Sequence, residues 1–192
     1  EETMTGMMKL KEEGKIRSIG VSNFSLEQLK EAMKFGEIDV IQPCYSLVWR
    51  FIDKEDLPFC IENNIGVISY CTLAQGILTG KFTEDKTFPE DDGRSRAPIF
   101  QPPYFKEALK VTEHVKKISE KYGKTPSQIA INWVMNTKGI TAPIVGARTV
   151  KQVEENLQAG SFEMSREDYE YLDKVSREFC DRLPKFKTFF EA

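Results

Sequence analysis

Residues 65–70 read Ile-Gly-Val-Ile-Ser-Tyr, a short and nearly continuous apolar run that predicts a buried β-strand. Runs of the same kind occur at residues 15–21, 40–44 and 140–145. A stretch whose apolar residues have helical spacing follows each run, so strands and helices alternate along the chain. This alternation is typical of a parallel sheet that helices cover on both faces.

Polar residues mark where the predicted helices begin. Ser25 and Thr125 are each followed, three residues later, by a glutamine, which is the pattern of a capping box. Thr149 and Ser165 precede two further helical stretches as N-cap residues. A long segment rich in Gly, Pro and Asp runs from residue 72 to about 103, and segments of that length without regular structure are usually functional or disordered.

Four strand–helix units are compatible with two α/β architectures. A (β/α)8 TIM barrel contains eight such units and typically needs about 250 residues, so a chain of 192 residues would supply about half of one. A doubly wound open sheet is the alternative. The periodicity of the sequence alone does not separate the two folds.

Composition excludes several classes of partner and site. A net charge of −3 favours neither nucleic acid nor a polybasic membrane contact, and no apolar run approaches the roughly 18–20 residues of a membrane span. The single histidine, His114, rules out a multi-histidine metal site, and we expect it at the surface without a catalytic role. No pair of the four cysteines has zinc-ligand spacing, so we expect reduced thiols in a cytoplasmic protein and no metal site.

Candidate site residues follow the ends of the predicted strands, where ligands gather in both architectures. These residues carry amides and hydroxyls, one aromatic ring and one cation, and they include no acid–base pair. Such a set suits a flat, polar ligand that bears phosphate rather than a proton-transfer reaction. The positions are Ser22, Asn23, Gln42, 70–73 and 146–149.

Each of these residues also has a purely structural interpretation. Arg148 and the start of the following helix are suited to an anion, but Thr149 can simply cap that helix beside a solvated Arg148. Tyr70 either stacks on a heteroaromatic ring or is an ordinary half-buried tyrosine. Asn23 and Gln42 either recognise an amide or serve as a turn residue and a satisfied buried amide.

Taken in order, five motifs resemble the aldo-keto reductase family, and the resemblance runs from end to end of the chain. It is closest to a bacterial branch whose loop after the seventh strand reads Tyr-Ser-Pro-Leu. The corresponding residues here are Tyr70-Cys71-Thr72-Leu73, so two positions differ. The motifs are residues 14–24, 41–47, 66–81, 143–149 and 152–157.

The resemblance implies a TIM barrel that reduces aldehydes and ketones with NADP(H). Ser22, Asn23 and Gln42 would then hold the nicotinamide carboxamide, and Tyr70 would stack on the ring. The resemblance assigns Cys71, Leu73 and Gln75 to the pyrophosphate, largely through backbone groups. It assigns the adenosine phosphate to Gly146, Ala147 and Arg148, with Arg148 on the 2′-phosphate, and the ribose and adenine to Gln152, Glu155 and Asn156.

The resemblance also implies what the chain lacks. The family's catalytic Asp, Tyr, Lys and His belong to the first four strand–helix units, whereas residues 1–192 correspond to about the last four and a C-terminal helix. We therefore expect the cofactor-binding half of a reductase of small carbonyl compounds, inactive by itself and without a catalytic residue of its own. The alternative is a non-catalytic half-barrel, a nucleotide-binding or assembly module whose exposed sheet edges pair with another chain.

Overall fold

In the part of the chain that the structure describes, four parallel strands lie side by side in sequence order and belong to one sheet. The computed structural model describes residues 1–186. The arrangement is that of a partial (β/α) barrel, which confirms the predicted fold class and its parallel sheet. The strands are β1 (Gly20–Ser22), β2 (Val40–Gln42), β3 (Gly66–Ser69) and β4 (Ala142–Pro143).

Successive side chains along each strand point alternately to the two faces of this sheet, and residues in register share a face. Val21, Ile41 and Val67 are in register, and the latter two are buried on the face that the helices cover. Gln42 and Ile68 lie on the opposite face and are only half-buried. A closed barrel would enclose that second face. In this structure Gln42 is only half-buried, so the polar groups at the carboxyl edge of this face are accessible.

Within the described residues, seven α-helices accompany the strands, and several of them begin where the sequence patterns predict. Capping boxes form at Ser25 and Thr125 as predicted, and the side chains of Thr149 and Ser165 accept hydrogen bonds from the first turns of their helices. The helices are α1 (Glu2–Glu12), α2 (Leu26–Met33), α3 (Asp56–Glu62), α4 (Tyr104–Tyr122), α5 (Pro126–Met135), α6 (Val150–Leu157) and α7 (Arg166–Cys180).

Two strands are shorter than the apolar runs that predicted them. In the run 15–21, the Lys15 amide donates to the Leu10 carbonyl at 3.0 Å and closes the end of α1, so only the last residues of the run enter β1. In the run 140–145, Pro143 has no N–H to donate to the ladder. Its neighbours Thr141 and Ile144 still donate to carbonyls of β3, at 2.8 and 2.7 Å, and hold the segment beside that strand.

A stack of aromatic rings and one buried cation attach α7 to the body of the domain. The rings of Tyr45, Trp133 and Tyr169 are stacked, with centroid separations of 5.8 and 5.6 Å. The Arg50 guanidinium lies 4.9 Å from the Trp133 ring and forms a 2.7 Å ion pair with Asp173 of α7. Burial of this much aromatic surface makes the stack a central part of the core.

Helix α6 differs from the others because no residue of it is buried. Val150, Val153 and Leu157 share one face of this helix, and they are 75, 46 and 71% exposed. We call these three residues the α6 stripe. The helix follows β4, which is an edge strand of the sheet, so apolar surface and an open sheet edge occur next to each other. Among residues 1–186, no helix combines the length and apolarity that crossing a membrane requires.

Candidate functional site

The carboxyl ends of β1, β2 and β3 bring together the first four predicted site residues. The Tyr70 hydroxyl donates a 2.9 Å hydrogen bond to Asn23 Oδ1, and Ser22 Oγ donates one of the same length to the Gln42 carbonyl. Asn23 has a φ of 57°, in the left-handed region that asparagine tolerates better than most residues. This turn directs the Asn23 amide back towards β3, and it agrees with the interpretation of Asn23 as a turn residue.

Tyr70 presents a neutral, half-buried ring at this edge. Burial raises its pKa to about 12, and the neighbouring thiols of Cys44 and Cys71 act in the same direction, while the hydrogen bond to Asn23 opposes them. The phenol therefore keeps its proton throughout the physiological pH range. A neutral ring of fixed orientation is suited to stacking on a flat ligand.

The segment after β3 takes an unusual backbone path. Cys71, Ala74 and Gln75 have φ values of 56, 47 and 50°, all in the left-handed region. Thr72 is 1% exposed, and its hydroxyl donates to the Ile144 carbonyl at 3.0 Å, which ties the segment to the end of β4. Sequence reasoning treated Thr72 only as a departure from a motif and missed this contact.

Two backbone N–H groups of the same segment are free to bind a ligand. Neither the Thr72 nor the Leu73 amide donates a hydrogen bond within the part of the chain that the structure describes. Successive backbone amides near left-handed residues form the concave sites that hold anions in many proteins. Leu73 and Gln75, the other predicted residues of this segment, are half-buried.

The start of α6 holds the second group of predicted residues. The Arg148 amide donates to Gln152 Oε1 at 2.6 Å, and the Gln152 amide donates to Thr149 Oγ1 at 3.2 Å, so Thr149 does cap the helix. Asn156 Nδ2 donates to the Gly146 carbonyl at 3.4 Å and folds the preceding turn onto the helix. The Arg148 side chain remains exposed beside the positive end of α6, and Ala147 is exposed next to it.

Glu155 also belongs to the second predicted group, and it lies in the second turn of α6. Its side chain is half-buried, and its carbonyl accepts a 2.9 Å hydrogen bond from Gln128 Nε2 of α5. This contact holds α6 against α5, so the residues at the start of α6 have a fixed position relative to the sheet.

The long segment after β3 contains short helical turns, and its Asp92 carboxylate lies within electrostatic range of Arg148. It contains three 3-10 turns, Ala74–Thr79, Gly93–Ser95 and Pro98–Phe100. The guanidinium of Arg94 forms a 2.5 Å ion pair with Asp92. Arg94 above all, with a smaller contribution from Arg148, lowers the pKa of Asp92 to about 2. The Asp92–Arg94 ion pair is therefore part of the electrostatic surroundings of Arg148. No motif in the sequence identified either residue.

His114 lies on α4, where its ring contacts the hydroxyl of Tyr171 on α7, in agreement with the expected position near the surface. Within residues 1–186, no group of three or more His, Cys, Asp and Glu side chains is arranged to hold a metal ion. The predicted site residues offer a ligand hydrogen-bonding groups, an aromatic ring and a cation.

Comparison with known proteins agrees with this geometry. The sequence model described as the Aldo/keto reductase family matches residues 1–177. The chain is 36% identical over 176 residues to the aldo-keto reductase YhdN of Bacillus subtilis strain 168, covering 91% of this chain and 53% of that protein. It is 32% identical over 167 residues to the NADH-specific methylglyoxal reductase of Escherichia coli K12, covering 87% and 51%.

A solved structure extends the agreement to three dimensions. The glycerol dehydrogenase AKR11B4 from Gluconobacter oxydans superposes with a TM-score of 0.85 at 34% identity, over 96% of this chain and 56% of that one. The chain thus spans about half the length of the relatives it matches. Sequence and fold lead to the same conclusion: this chain belongs to the aldo/keto reductase family.

Proposed function

We propose that this chain is the nicotinamide-dinucleotide-binding half of an enzyme that reduces aldehydes or ketones to alcohols with NADPH. The observation that carries the proposal is the hydrogen bond from Tyr70 to Asn23, which fixes an aromatic ring beside amide and hydroxyl groups at the carboxyl edge of the sheet. Relatives named as reductases support the reaction class.

The strand ends are suited to the nicotinamide end of the cofactor. A nicotinamide has a flat ring and a carboxamide with one acceptor oxygen and two N–H donors. The Tyr70 ring provides a surface for stacking, and the side chains of Ser22, Asn23 and Gln42 provide donors and acceptors for the carboxamide. When bound, the reduced dinucleotide supplies the hydride, while these residues determine which face of its ring is presented.

The segment after β3 and the start of α6 are suited to the phosphates. The free Thr72 and Leu73 amides lie in the segment that we assign to the pyrophosphate, together with Cys71 and Gln75. At Gly146, no described atom beyond the glycine and its two chain neighbours lies within 4 Å of where a Cβ would be, which leaves room for a ligand close to the backbone. Arg148 then binds the 2′-phosphate as a bidentate cation, next to Ala147. Gln152, Glu155 and Asn156 line the adjoining face of α6, where we place the ribose and adenine.

We also propose that residues 1–192 transfer no hydride by themselves. The Tyr70 hydroxyl proton is engaged in the hydrogen bond to Asn23, so this phenol does not point a proton at a carbonyl substrate. In this proposal the small carbonyl substrate and the proton donor are bound by the other half of the intact enzyme. Mixing the isolated chain with NADPH and a series of aldehydes should give no carbonyl-dependent loss of absorbance at the NADPH band.

A second candidate function rests on a different observation. The α6 stripe is exposed, and β1 and β4 are both edge strands. Exposed edges and apolar patches of this kind mark interaction surfaces. A half-barrel that acts only as an assembly module, pairing through these edges with another chain, would use the same surface.

Nucleotide binding separates the two candidates. Isothermal titration calorimetry of residues 1–192 with NADPH should give saturable binding with one site per chain. A chain that is folded by circular dichroism and associates through its edges, but binds neither NADPH nor NADH, would favour the assembly module and contradict the cofactor proposal.

A further inference from the structure

Two cysteines lie side by side where β2 and β3 continue beyond their last ladder residues. Cys44 is opposite Tyr70 in a parallel bridge. The Tyr70 amide donates to the Pro43 carbonyl at 2.9 Å, and the Tyr45 amide donates to the Tyr70 carbonyl at 3.1 Å. These two hydrogen bonds hold the backbones at the spacing of neighbouring strands, about 4.8 Å.

The next residue, Cys71, turns its thiol towards Cys44. Its left-handed φ of 56° ends the extended path of the strand. The two side chains are close enough that each thiol shifts the pKa of the other. Cys71 directly follows Tyr70, the residue opposite Cys44 on the neighbouring strand. Disulfides form between residues whose Cα atoms are about 4.4–6.8 Å apart, so one on each of two neighbouring strands can be joined.

The two thiols are chemically unequal. Burial, above all, raises the pKa of Cys44, which is 6% exposed. The neighbouring Cys44 thiol lowers the pKa of Cys71 and outweighs the effect of its partial burial. Cys71 is therefore the more reactive and more accessible partner, and Cys44 is the protonated neighbour. An accessible thiolate beside a second cysteine is the usual arrangement in redox-sensing proteins.

The other cysteines of the chain lack these properties. Burial, above all, raises the pKa of Cys60 to about 11 and that of Cys180 to about 12. The Cys180 thiol faces the Leu47 carbonyl at 3.9 Å. Both residues therefore remain thiols near neutral pH and provide internal controls.

We infer that Cys44 and Cys71 form a reversible intramolecular disulfide when hydrogen peroxide oxidises Cys71. The Cys71 thiolate attacks one peroxide oxygen and the O–O bond breaks. Hydroxide leaves and takes up a proton to become water, and Cys71 becomes a sulfenic acid. The Cys44 sulfur then loses its proton and attacks the Cys71 sulfur, and the S–O bond breaks with release of a second water. The two thiols lose two electrons in total, peroxide gains them, and an added dithiol reverses the reaction.

The position of the pair suggests a consequence for the cofactor site, and this consequence rests on the proposed function. Cys71 lies between the Tyr70 ring and the free amides of Thr72 and Leu73. A disulfide would fix this segment, and a bound nucleotide would shield Cys71 from peroxide. NADPH present during oxidation should therefore slow disulfide formation several-fold.

The disulfide itself is tested without any nucleotide. Residues 1–192 are treated with one equivalent of hydrogen peroxide, remaining thiols are alkylated, and tryptic peptides are analysed by mass spectrometry without reduction. A Cys60→Ser background is used because Cys60 and Cys71 occur in the same tryptic peptide, 55–81, whereas Cys44 occurs in 35–50. The expected product is a cross-link between these two peptides that dithiothreitol removes.

Variants of the pair identify the order of events. Cys44→Ser, or Cys44→Ala if the serine variant does not fold, should stop the reaction at a Cys71 sulfenic acid that dimedone labels. Cys71→Ser should abolish both the cross-link and the labelling, whereas Cys180→Ser should leave the cross-link unchanged. An unmodified Cys71 in the folded chain, or dimedone labelling equal with and without Cys44, would overturn the inference. Failure of NADPH to protect, with the cross-link intact, would count against the proposed function alone.

Discussion

The Tyr70 hydroxyl donates a 2.9 Å hydrogen bond to Asn23 Oδ1, and this contact joins the ends of β3 and β1 across the strand between them. It connects residues that are 47 positions apart in the sequence. The bond fixes the orientation of the one aromatic ring among the predicted site residues, so a nicotinamide stacked as we propose would take its position from this contact.

Substitutions of Tyr70 should separate the contribution of ring stacking to NADPH binding from that of the hydrogen bond to Asn23. Tyr70→Ala removes the ring, and because aromatic stacking on a base contributes about 1–3 kcal/mol, the Kd for NADPH should rise at least about five-fold. Tyr70→Phe keeps the ring and loses one hydrogen bond worth about 1 kcal/mol, so its effect should be about five-fold at most. Calorimetric titration with NADPH measures both, with Tyr171→Phe on α7 as the control. Equal affinity of the alanine variant and the wild type would exclude stacking on Tyr70.

Arg148 should determine how much more tightly the chain binds NADPH than NADH. Hydrogen bonds to charged groups contribute about 1.5–3 kcal/mol, so Arg148→Ala should raise the Kd for NADPH about ten- to a hundred-fold. The Kd for NADH should change less than about two-fold, since NADH has no 2′-phosphate for the guanidinium to bind.

Lys151 offers a matched control for this experiment. It is another exposed cation in the first turns of α6, so Lys151→Ala removes the same charge from the same helix. That variant should leave the preference for NADPH unchanged. Equal losses for NADPH and NADH in Arg148→Ala would remove the assignment of Arg148 to the 2′-phosphate.

The α6 stripe should control self-association of the isolated chain. Leu157 is 71% exposed, and burying such a side chain in an interface contributes about 1.5–3 kcal/mol. Sedimentation equilibrium should therefore give an apparent mass above 22.0 kDa for the wild type and a value nearer the monomer for Leu157→Lys. Leu10→Lys, at an exposed leucine on α1, should not change the mass. A strictly monomeric, folded wild type would show that these edges do not pair.

Asp168 should make the fold sensitive to acid. Burial alone would raise its pKa, but hydrogen bonds from Lys121, Tyr122 and Ser165 outweigh burial and lower it. The unfolded chain thus binds a proton at Asp168 more readily than the folded chain does. The stabilisation is present above the unfolded pKa of about 4 and is lost as the pH falls through the lower folded pKa.

Urea denaturation at several pH values measures this contribution. Asp168→Asn should lower the free energy of unfolding near pH 7 by about 1–3 kcal/mol, because it removes charged hydrogen bonds. The difference from the wild type should shrink as the pH falls towards 3, and Glu167→Gln, at an exposed neighbour, should show neither effect. A difference that is constant from pH 7 to pH 3 would mean that the charge of Asp168 is not responsible.

The sequence alone was sufficient wherever the determining interactions are local. The capping boxes at Ser25 and Thr125 close over three residues, so the pattern of residue types is enough to predict them. The apolar runs likewise predicted four parallel strands, because burial on both faces leaves a continuous run of apolar side chains. The same strand ends and motifs gave the positions of the candidate site residues and the family.

Only the tertiary structure decided which of those residues meet. Thr72 reaches the Ile144 carbonyl 72 positions away, and Cys44 lies beside the Tyr70–Cys71 segment because β2 and β3 are neighbours. Pro143 shortened a strand that the apolar run predicted to be longer, and the amphipathic pattern of α6 did not reveal that its apolar stripe is exposed. Sequence patterns report local periodicity and the types of residue available, whereas contacts between distant residues depend on strand order, register and backbone turns, which exist only once the whole sheet has formed.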